Sequence, residues 1–268
     1  MVQLTPRALG FGEILDGSFS LYRRNFATFF LVALLPQAPL VLYWLVVAAF
    51  GIGGAGGGAL VPVTQVLAFP YSVFAGVLVS AGLIHVVGVA STGETPGAVD
   101  SLRAGLSRWL PVFLGTLLCG IMILWGFILF IIPGLFLIAL LFAVLPTIVL
   151  EGRGPLEAIG RSRELSRGGR LGILGTLFIA WLITLIPAMA MWGVAGIALG
   201  VVTIVSGDLQ ALEGLARFEG FAQSLGTIVS AITWPFFMGV LVLVYLDRRA
   251  RTEAPDLEAA ADQLRTWS

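Results

Sequence analysis

Residues 113–150, FLGTLLCGIMILWGFILFIIPGLFLIALLFAVLPTIVL, contain no charged side chain. A helix needs about 20 apolar residues to cross the hydrocarbon layer of a membrane, so this stretch is long enough for two crossings. Between them, the segment IIPG at 131–134 predicts a tight turn, because proline ends one helix and glycine permits the chain to reverse. The stretch therefore predicts a hairpin of two transmembrane helices.

The rest of the chain has the same apolar character. Of its 268 residues, 58% are hydrophobic and 11% are charged, and the mean hydropathy is +1.01. This composition excludes a water-soluble globular domain. We therefore predict an all-α, polytopic membrane protein with about six transmembrane helices. The predicted spans are 26–50, 63–91, 109–131, 134–150, 171–192 and 223–246.

The fifth predicted span lies in an apolar run, residues 171–205, that is too long for one simple crossing. Pro187 and Gly193 predict a kinked helix followed by an interfacial or re-entrant piece. Small residues in that piece predict close helix contacts or a re-entrant bend. They are Gly193, Gly196 and Gly200. Seven spans are the alternative to six.

The placement of arginine predicts the orientation of the chain. With six spans, 14 of the 15 basic residues, all of them arginine, fall on one side of the membrane, and only Arg217 falls on the other. Positive charge is retained on the cytoplasmic side. We therefore predict an inner-membrane protein with both termini in the cytoplasm. Seven spans would move the last four arginines across the membrane and weaken this agreement.

The sequence divides into three parts by pattern. Residues 1–25 predict an amphipathic helix in the cytoplasmic membrane interface, 26–246 the six-helix transmembrane domain, and 247–268 an amphipathic cytoplasmic tail, with disorder as the alternative for the tail. Further cytoplasmic surface helices begin at Pro96 and Pro155. The apolar face of the first helix contains Phe11, Ile14, Leu15, Phe19, Leu21, Tyr22 and Phe26.

Short matches predict an internal repeat. The tripeptide Leu-Ser-Arg occurs at 106–108 and at 165–167, and Pro96 and Pro155 lie the same 59 residues apart. Each unit would consist of a surface helix followed by two spans, and residues 21–24 would lead a third copy.

Two polar side chains fall inside the predicted spans. His85 is the only histidine, and ionisable groups at membrane depth are often proton or ligand sites. The favoured alternative is a neutral imidazole that is hydrogen-bonded to a neighbouring helix. Gln37 lies beside Pro36 and Pro39, where a broken helix would present free carbonyl groups to a substrate groove, but hydrogen bonding between helices explains it equally well.

The sequence predicts no catalytic residue, no metal site and no cofactor. One histidine at membrane depth supplies neither the base that a serine nucleophile needs nor a set of metal ligands. A single cysteine, Cys119, excludes an intrachain disulfide and a thiolate metal cluster. The net charge of zero argues against a nucleic-acid partner.

Arginines between the fourth and fifth spans are candidate contacts to lipid or to a protein partner. Each would contribute about 1 kcal/mol to the binding of anionic headgroups near a membrane surface. The alternative, that they only set topology, has equal weight. Glu157 lies four residues before the first of them and predicts a helix-surface ion pair with it. The candidates are Arg161, Arg163, Arg167 and Arg170.

Three segments resemble a known membrane family. They are ILDGSFSLYRRNF at 14–26, IIPGLFLIALLFAVLPTIVLEGRGPLEAIGRSRELSRG at 131–168 and YLDRRARTEAPDLE at 245–258. They are similar to the prokaryotic glycerophosphoryl diester phosphodiesterase membrane domain and to related six-helix membrane families. In larger members of that family the phosphodiesterase is a separate barrel of about 250 residues, whose paired histidines and metal-binding carboxylates have no counterpart here. The resemblance implies a stand-alone membrane domain without an active site.

We therefore expect a non-enzymatic membrane protein that acts as a scaffold or binds a lipid or protein partner through its arginine-bearing helices. Membrane lipids are the expected partners, and a protein partner is also expected. The alternative is a small-molecule or lipid transporter, with a cavity between helix pairs near the breaks at Pro36, Pro39 and Pro187. The identity of the partner and the oligomeric state stay open.

Overall fold

The computed structural model describes residues 10–50, 60–206 and 210–266. These residues are almost entirely helical and include no strand, which confirms the all-α prediction. The helices are α1 (Phe11–Arg24), α2 (Phe26–Leu34), α3 (Ala38–Phe50), α4 (Leu60–Ser91), α5 (Ala98–Ser107), α6 (Trp109–Leu129), α7 (Ile131–Leu141), α8 (Val144–Pro146), α9 (Pro155–Leu165), α10 (Arg170–Ser206) and α11 (Gln210–Thr266). A 3-10 turn at Leu35–Gln37 joins α2 to α3, and a π-helical turn at Thr147–Glu151 follows α8.

Six helical segments of the described chain are long and apolar enough to cross a membrane, as the sequence predicts. They are Phe26–Phe50, Ala68–Ser91, Trp109–Leu129, Ile131–Glu151, Arg170–Val194 and Arg217–Glu253. Many large apolar side chains lie exposed on the outside of the bundle, among them Phe130 at 74% and Ile132 at 79% of full exposure. A surface of this kind is suited to contact with lipid chains.

The hairpin between the third and fourth spans turns earlier than predicted. Helix α6 ends at Leu129, the extended residue Phe130 makes the turn, and α7 begins at Ile131. Pro133 therefore lies in the first turn of α7, where its missing N–H costs no hydrogen bond. A Cβ atom on Gly126 would lie 3.0 Å from the Cα atom of Gly134, so the two glycines permit the close approach of the helices.

The prediction that a re-entrant piece follows Gly193 is wrong for the residues up to Ser206. Helix α10 is continuous over 37 residues and is about 55 Å long. In apolar surroundings no water replaces a broken backbone hydrogen bond, so a glycine or proline interrupts a helix less readily than in water. Added Cβ atoms on Gly193 and Gly196 would meet no atom within 4 Å, which excludes them from close helix contacts.

Close helix contacts lie at other glycines. A Cβ atom on Gly220 would be 2.6 Å from the carbonyl oxygen of Trp44 and 2.7 Å from the amide nitrogen of Ala48, which brings α11 against α3. A Cβ atom on Gly105 would be 3.0 Å from the amide nitrogen of Gly82, where α5 crosses α4. Small residues permit such contacts between the backbones of packed helices.

Helix α11 is the centre of the bundle. It is 57 residues long and packs against α1, α2, α3, α4, α9 and α10. Its side chains from Val240 to Tyr245 are all buried and join Phe29, Leu83 and Leu165 in the main hydrophobic core. The helix continues through the predicted start of the tail at residue 247 as far as Thr266, so the tail and the last span are one helix.

The order of the helices follows the predicted three units. Each short helix, α1, α5 or α9, precedes a pair of spans. Each also carries one fully buried serine: Ser18, Ser101 or Ser162. Ser162 donates to the carbonyl oxygen of Leu140 at 2.7 Å and accepts from the amide of Ala143 at 3.1 Å. A small polar side chain thus lies where each short helix meets the bundle.

Helix α1 contacts the bundle through part of its predicted apolar face. Ile14 and Ser18 are buried against the bundle, and Gly17 leaves space for Leu243 of α11. Leu15 and Tyr22 also pack against the main hydrophobic core, whereas Phe11 and Phe19 of the same predicted face are exposed. The helix therefore packs on protein with one side, and the location of its exposed phenylalanines in the membrane interface stays a prediction.

Candidate functional site

Arginine-bearing segments from separate parts of the chain meet at one end of the bundle, which we name the arginine-rich end and define as residues 103–108, 151–170 and 247–253. Arg108 donates to the carbonyl oxygen of Gly152 at 3.2 Å. Arg248 donates to the carbonyl oxygen of Leu165 at 3.0 Å. These bonds join the segments that follow the second, fourth and sixth spans, as an arrangement of six spans requires.

A largely buried carboxylate, that of Glu151, lies at the centre of this end. Its side chain is 9% exposed. The hydroxyl of Tyr245 donates to Oε1 at 2.6 Å, and Nε of Arg161 lies 3.5 Å from the same oxygen. Nε of Arg153 lies 2.8 Å from Oε2. Three donors from three parts of the chain therefore compensate the burial of one negative charge, as buried charges require.

Arg161 extends this cluster to the last helix. Its side chain is 12% exposed and forms ion pairs with Glu151, with Glu164 at 3.7 Å and with Glu253 of α11. Arg249 also binds Glu253, at 3.1 Å. Burial alone would lower the pKa of Arg161, but the charges of Glu151 and Glu253 raise it above its ordinary value. The guanidinium is therefore charged and holds α9 to α11.

The predicted lipid-binding arginines divide into three environments. Arg161 points inward, towards Glu151 and Glu253 instead of the predicted Glu157. Arg163 and Arg167 are exposed. Arg170 is half-buried, with its guanidinium carbon 4.6 Å from the centre of a phenylalanine ring, that of Phe136. Arg163 and Arg167 are thus the members of the group that present their side chains to the surroundings.

A glycine pair shapes the turn between α9 and α10. Gly168 has φ +71°, a conformation that favours glycine. A Cβ atom on Gly169 would lie 2.4 Å from the guanidinium of Arg248, which occupies that space. Arg248 in turn donates to Leu165 and Arg167 carbonyl groups at the C-terminal end of α9. A cation in this position satisfies free carbonyls and compensates the negative end of the helix dipole.

His85 and Gln37 do not belong to this cluster. Nδ1 of His85 lies 3.2 Å from the hydroxyl of Ser101, which joins α4 to α5. Gln37, in the 3-10 turn, donates to the carbonyl oxygen of Ala33 at the end of α2, at 3.2 Å. The structure thus gives each side chain a partner within the protein and does not bring the two together. Within the residues that the structure describes, no group of His, Cys, Asp or Glu side chains is suited to hold a metal ion.

No sequence pattern identifies Glu151, Tyr245, Arg249 or Glu253 as members of one site. The available signal was topology, because a polar residue at the end of the fourth span and polar residues at the end of the sixth fall on the same side of the membrane. Tyr245 and Glu151 are 94 residues apart in sequence, and no local pattern predicts which end-of-span residues pair.

The sequence matches no protein-family model, and no curated protein or solved structure matches it.

Proposed function

We propose that the chain is a non-enzymatic, integral inner-membrane protein whose arginine-rich end is a rigid platform for a lipid or protein partner. The observation that supports this function most is the cluster around Glu151 and Arg161. It uses the buried charges to hold α9 and α11 together, while Arg163 and Arg167 stay exposed on the outer side of the platform. Exposed cations at the edge of a membrane attract anionic headgroups and acidic protein surfaces.

The non-enzymatic part of the proposal is supported by how the candidate acid–base groups are used. Cleavage of a phosphodiester needs charge neutralisation at phosphorus and a proton donor for the leaving oxygen. Here Glu151 is bound by two arginines and a tyrosine, and His85 contacts Ser101. Membership of the phosphodiesterase membrane-domain family stays a prediction, and the resemblance implies a membrane domain without an active site.

The alternative function, transport, would need free polar groups at the helix break near Pro36. The carbonyl oxygen of Pro36 instead accepts a hydrogen bond of 2.8 Å from the hydroxyl of Tyr71. Pro36 itself is buried. Satisfied carbonyls at this break favour a packed structure there over a substrate-lined cavity.

Native mass spectrometry in mild detergent tests the proposed function. We expect wild-type protein to retain more phosphatidylglycerol than phosphatidylcholine from a mixed extract. The double variant Arg163→Gln/Arg167→Gln should retain several-fold less, since each arginine contributes about 1 kcal/mol. Arg217→Gln is the matched control, because Arg217 is an exposed arginine at the other end of α11. Equal retention of both lipids by all three proteins, with no protein bound through the same arginines, would contradict the proposal.

The proposed orientation, with both termini in the cytoplasm, is tested by cysteine labelling in a Cys119→Ala background. Glu219 and Thr252 are both exposed on α11 and lie about 50 Å apart along the helix. We expect Glu219→Cys to react with an impermeant maleimide on intact cells. Thr252→Cys and Ser107→Cys should react only after permeabilisation. Labelling of Thr252→Cys on intact cells would exclude this orientation.

A further inference from the structure

A groove of about 550 Å³ opens on the surface of the bundle beside the arginine-rich end. It lies between the start of α1, the first turns of α10 and the part of α11 from Val244 to Arg251. Its volume falls within the range of about 300–1,000 Å³ that is usual for small-molecule sites in proteins. Neither the predicted polar sites nor the Glu151 cluster accounts for it.

Glycines form the floor of the groove. Gly168, Gly172 and Gly175 all line it, and a Cβ atom added to any of them would meet no atom within 4 Å. In contrast, the glycines at the helix crossings, such as Gly220, are in contact with a neighbouring backbone. The space above the first turns of α10 is therefore open to a molecule from outside the bundle.

One end of the groove is cationic. Arg248, Arg251 and Asp247 lie there, and Nε of Arg251 is 2.8 Å from Oδ2 of Asp247. The hydrogen bonds of Arg248 go to neutral carbonyl groups, those of Leu165 and Arg167. One carboxylate, Asp247, lies beside two arginines, so this end carries a net positive charge. The first turn of α10, whose N–H groups have no partner within the helix, begins at this end as well. These groups together favour an anion.

The other end of the groove is apolar. Ile173 and Ile179 of α10 line it, together with Val244 of α11. Ile179 is 38% exposed. Ile179 lies about 13 Å along the helix from Arg170, so the apolar part extends into the membrane-spanning segment. The groove thus changes from charged at the membrane surface to apolar in the membrane interior, as a lipid does from its headgroup to its acyl chains.

We infer that this groove binds an anionic glycerophospholipid, with its phosphate at Arg248 and Arg251 and an acyl chain along Ile173 and Ile179. The inference rests on the proposed function and names the site and class of its ligand. Arginine binds phosphate oxygens by charge-assisted hydrogen bonds. A free phosphate would use only the cationic end, whereas a lipid uses both ends and is supplied by the surrounding membrane.

Photo-cross-linking identifies the occupant. A benzoylphenylalanine at Ile179, in protein held in vesicles that contain phosphatidylglycerol and phosphatidylcholine, should form an adduct with the mass of phosphatidylglycerol. Adducts with another protein, with a second copy or with residues 1–9 of the same chain would overturn the inference, and so would the absence of any lipid adduct. Stabilisation of the detergent-purified protein by inorganic phosphate alone, equal to that by phosphatidylglycerol, would assign the site to a free anion and overturn it too.

A glycine variant that fills the groove gives the matched test. A Cβ atom on Gly172 meets no atom within 4 Å, so Gly172→Leu extends a side chain into the open space and should abolish the lipid adduct at position 179. Gly193→Leu is the control, because Gly193 lies in the same helix with equally open surroundings but outside the groove. Both variants should keep the wild-type helical content and unfolding temperature. If a folded Gly172→Leu protein still forms the lipid adduct, the inference that the lipid binds in this groove is overturned. A preference for phosphatidylglycerol that depends on Arg163 and Arg167 would still support the proposed function in that case.

Discussion

Replacement of Glu151 with alanine is expected to lower the free energy of unfolding by about 2 to 3 kcal/mol, because it removes the central acceptor of a largely buried charge cluster. The Glu151 side chain is 9% exposed and that of its partner Arg161 is 12% exposed, so water compensates little of the loss. The hydroxyl of Tyr245 would lose its acceptor. Equilibrium unfolding in mixed detergent micelles, followed by tryptophan fluorescence, measures the change.

Two further variants show whether the cluster causes this loss. Glu157→Ala removes an exposed carboxylate from the same region, at the start of α9, and should change stability by less than about 0.5 kcal/mol. Tyr245→Phe removes only the hydroxyl and should cost about 1 kcal/mol. If the hydroxyl acts through Glu151, the double variant Glu151→Ala/Tyr245→Phe should be less destabilised than the two single effects predict. Equal effects of Glu151→Ala and Glu157→Ala would contradict a structural role for the cluster.

Replacement of Gly220 with valine is expected to destabilise the protein by about 2 kcal/mol or more, because the space beside this glycine is occupied by the backbone of α3. The nearest atoms to an added Cβ would be the carbonyl oxygen of Trp44 at 2.6 Å and the amide nitrogen of Ala48 at 2.7 Å. Backbone atoms in a packed helix cannot rotate away as the end of a side chain can, so α3 and α11 would have to separate. The unfolding temperature in mild detergent measures the effect.

The control for Gly220→Val is Gly193→Val in α10. Gly193 is exposed, and nothing lies within 4 Å of its added Cβ position. The loss of glycine flexibility should make this change neutral or slightly stabilising, within about 0.5 kcal/mol. A Gly220→Val protein as stable as the Gly193→Val protein would mean that α3 and α11 do not pack as described.

The sequence by itself determined the transmembrane part of this structure to a close approximation. The two spans in the uncharged run at 113–150 and the four other predicted spans correspond to the six helical segments suited to cross a membrane. The physical reason is that the apolar length of a segment is a local property, which does not depend on neighbours. The convergence of arginine-bearing segments also follows locally, because successive crossings alternate between the two ends of a bundle.

Only the tertiary structure decided what individual glycines, arginines and polar residues do. Gly220 contacts the backbone of α3, Gly172 lines the floor of a groove and Gly193 has no neighbour within 4 Å, yet all three are glycines in apolar helices. Arg161 is bound to Glu151 and Glu253, while Arg163, two residues later, is exposed. Which atoms face a glycine or a guanidinium depends on residues far away in sequence. Helix packing determines that choice, and a pattern read along one segment carries no information about it.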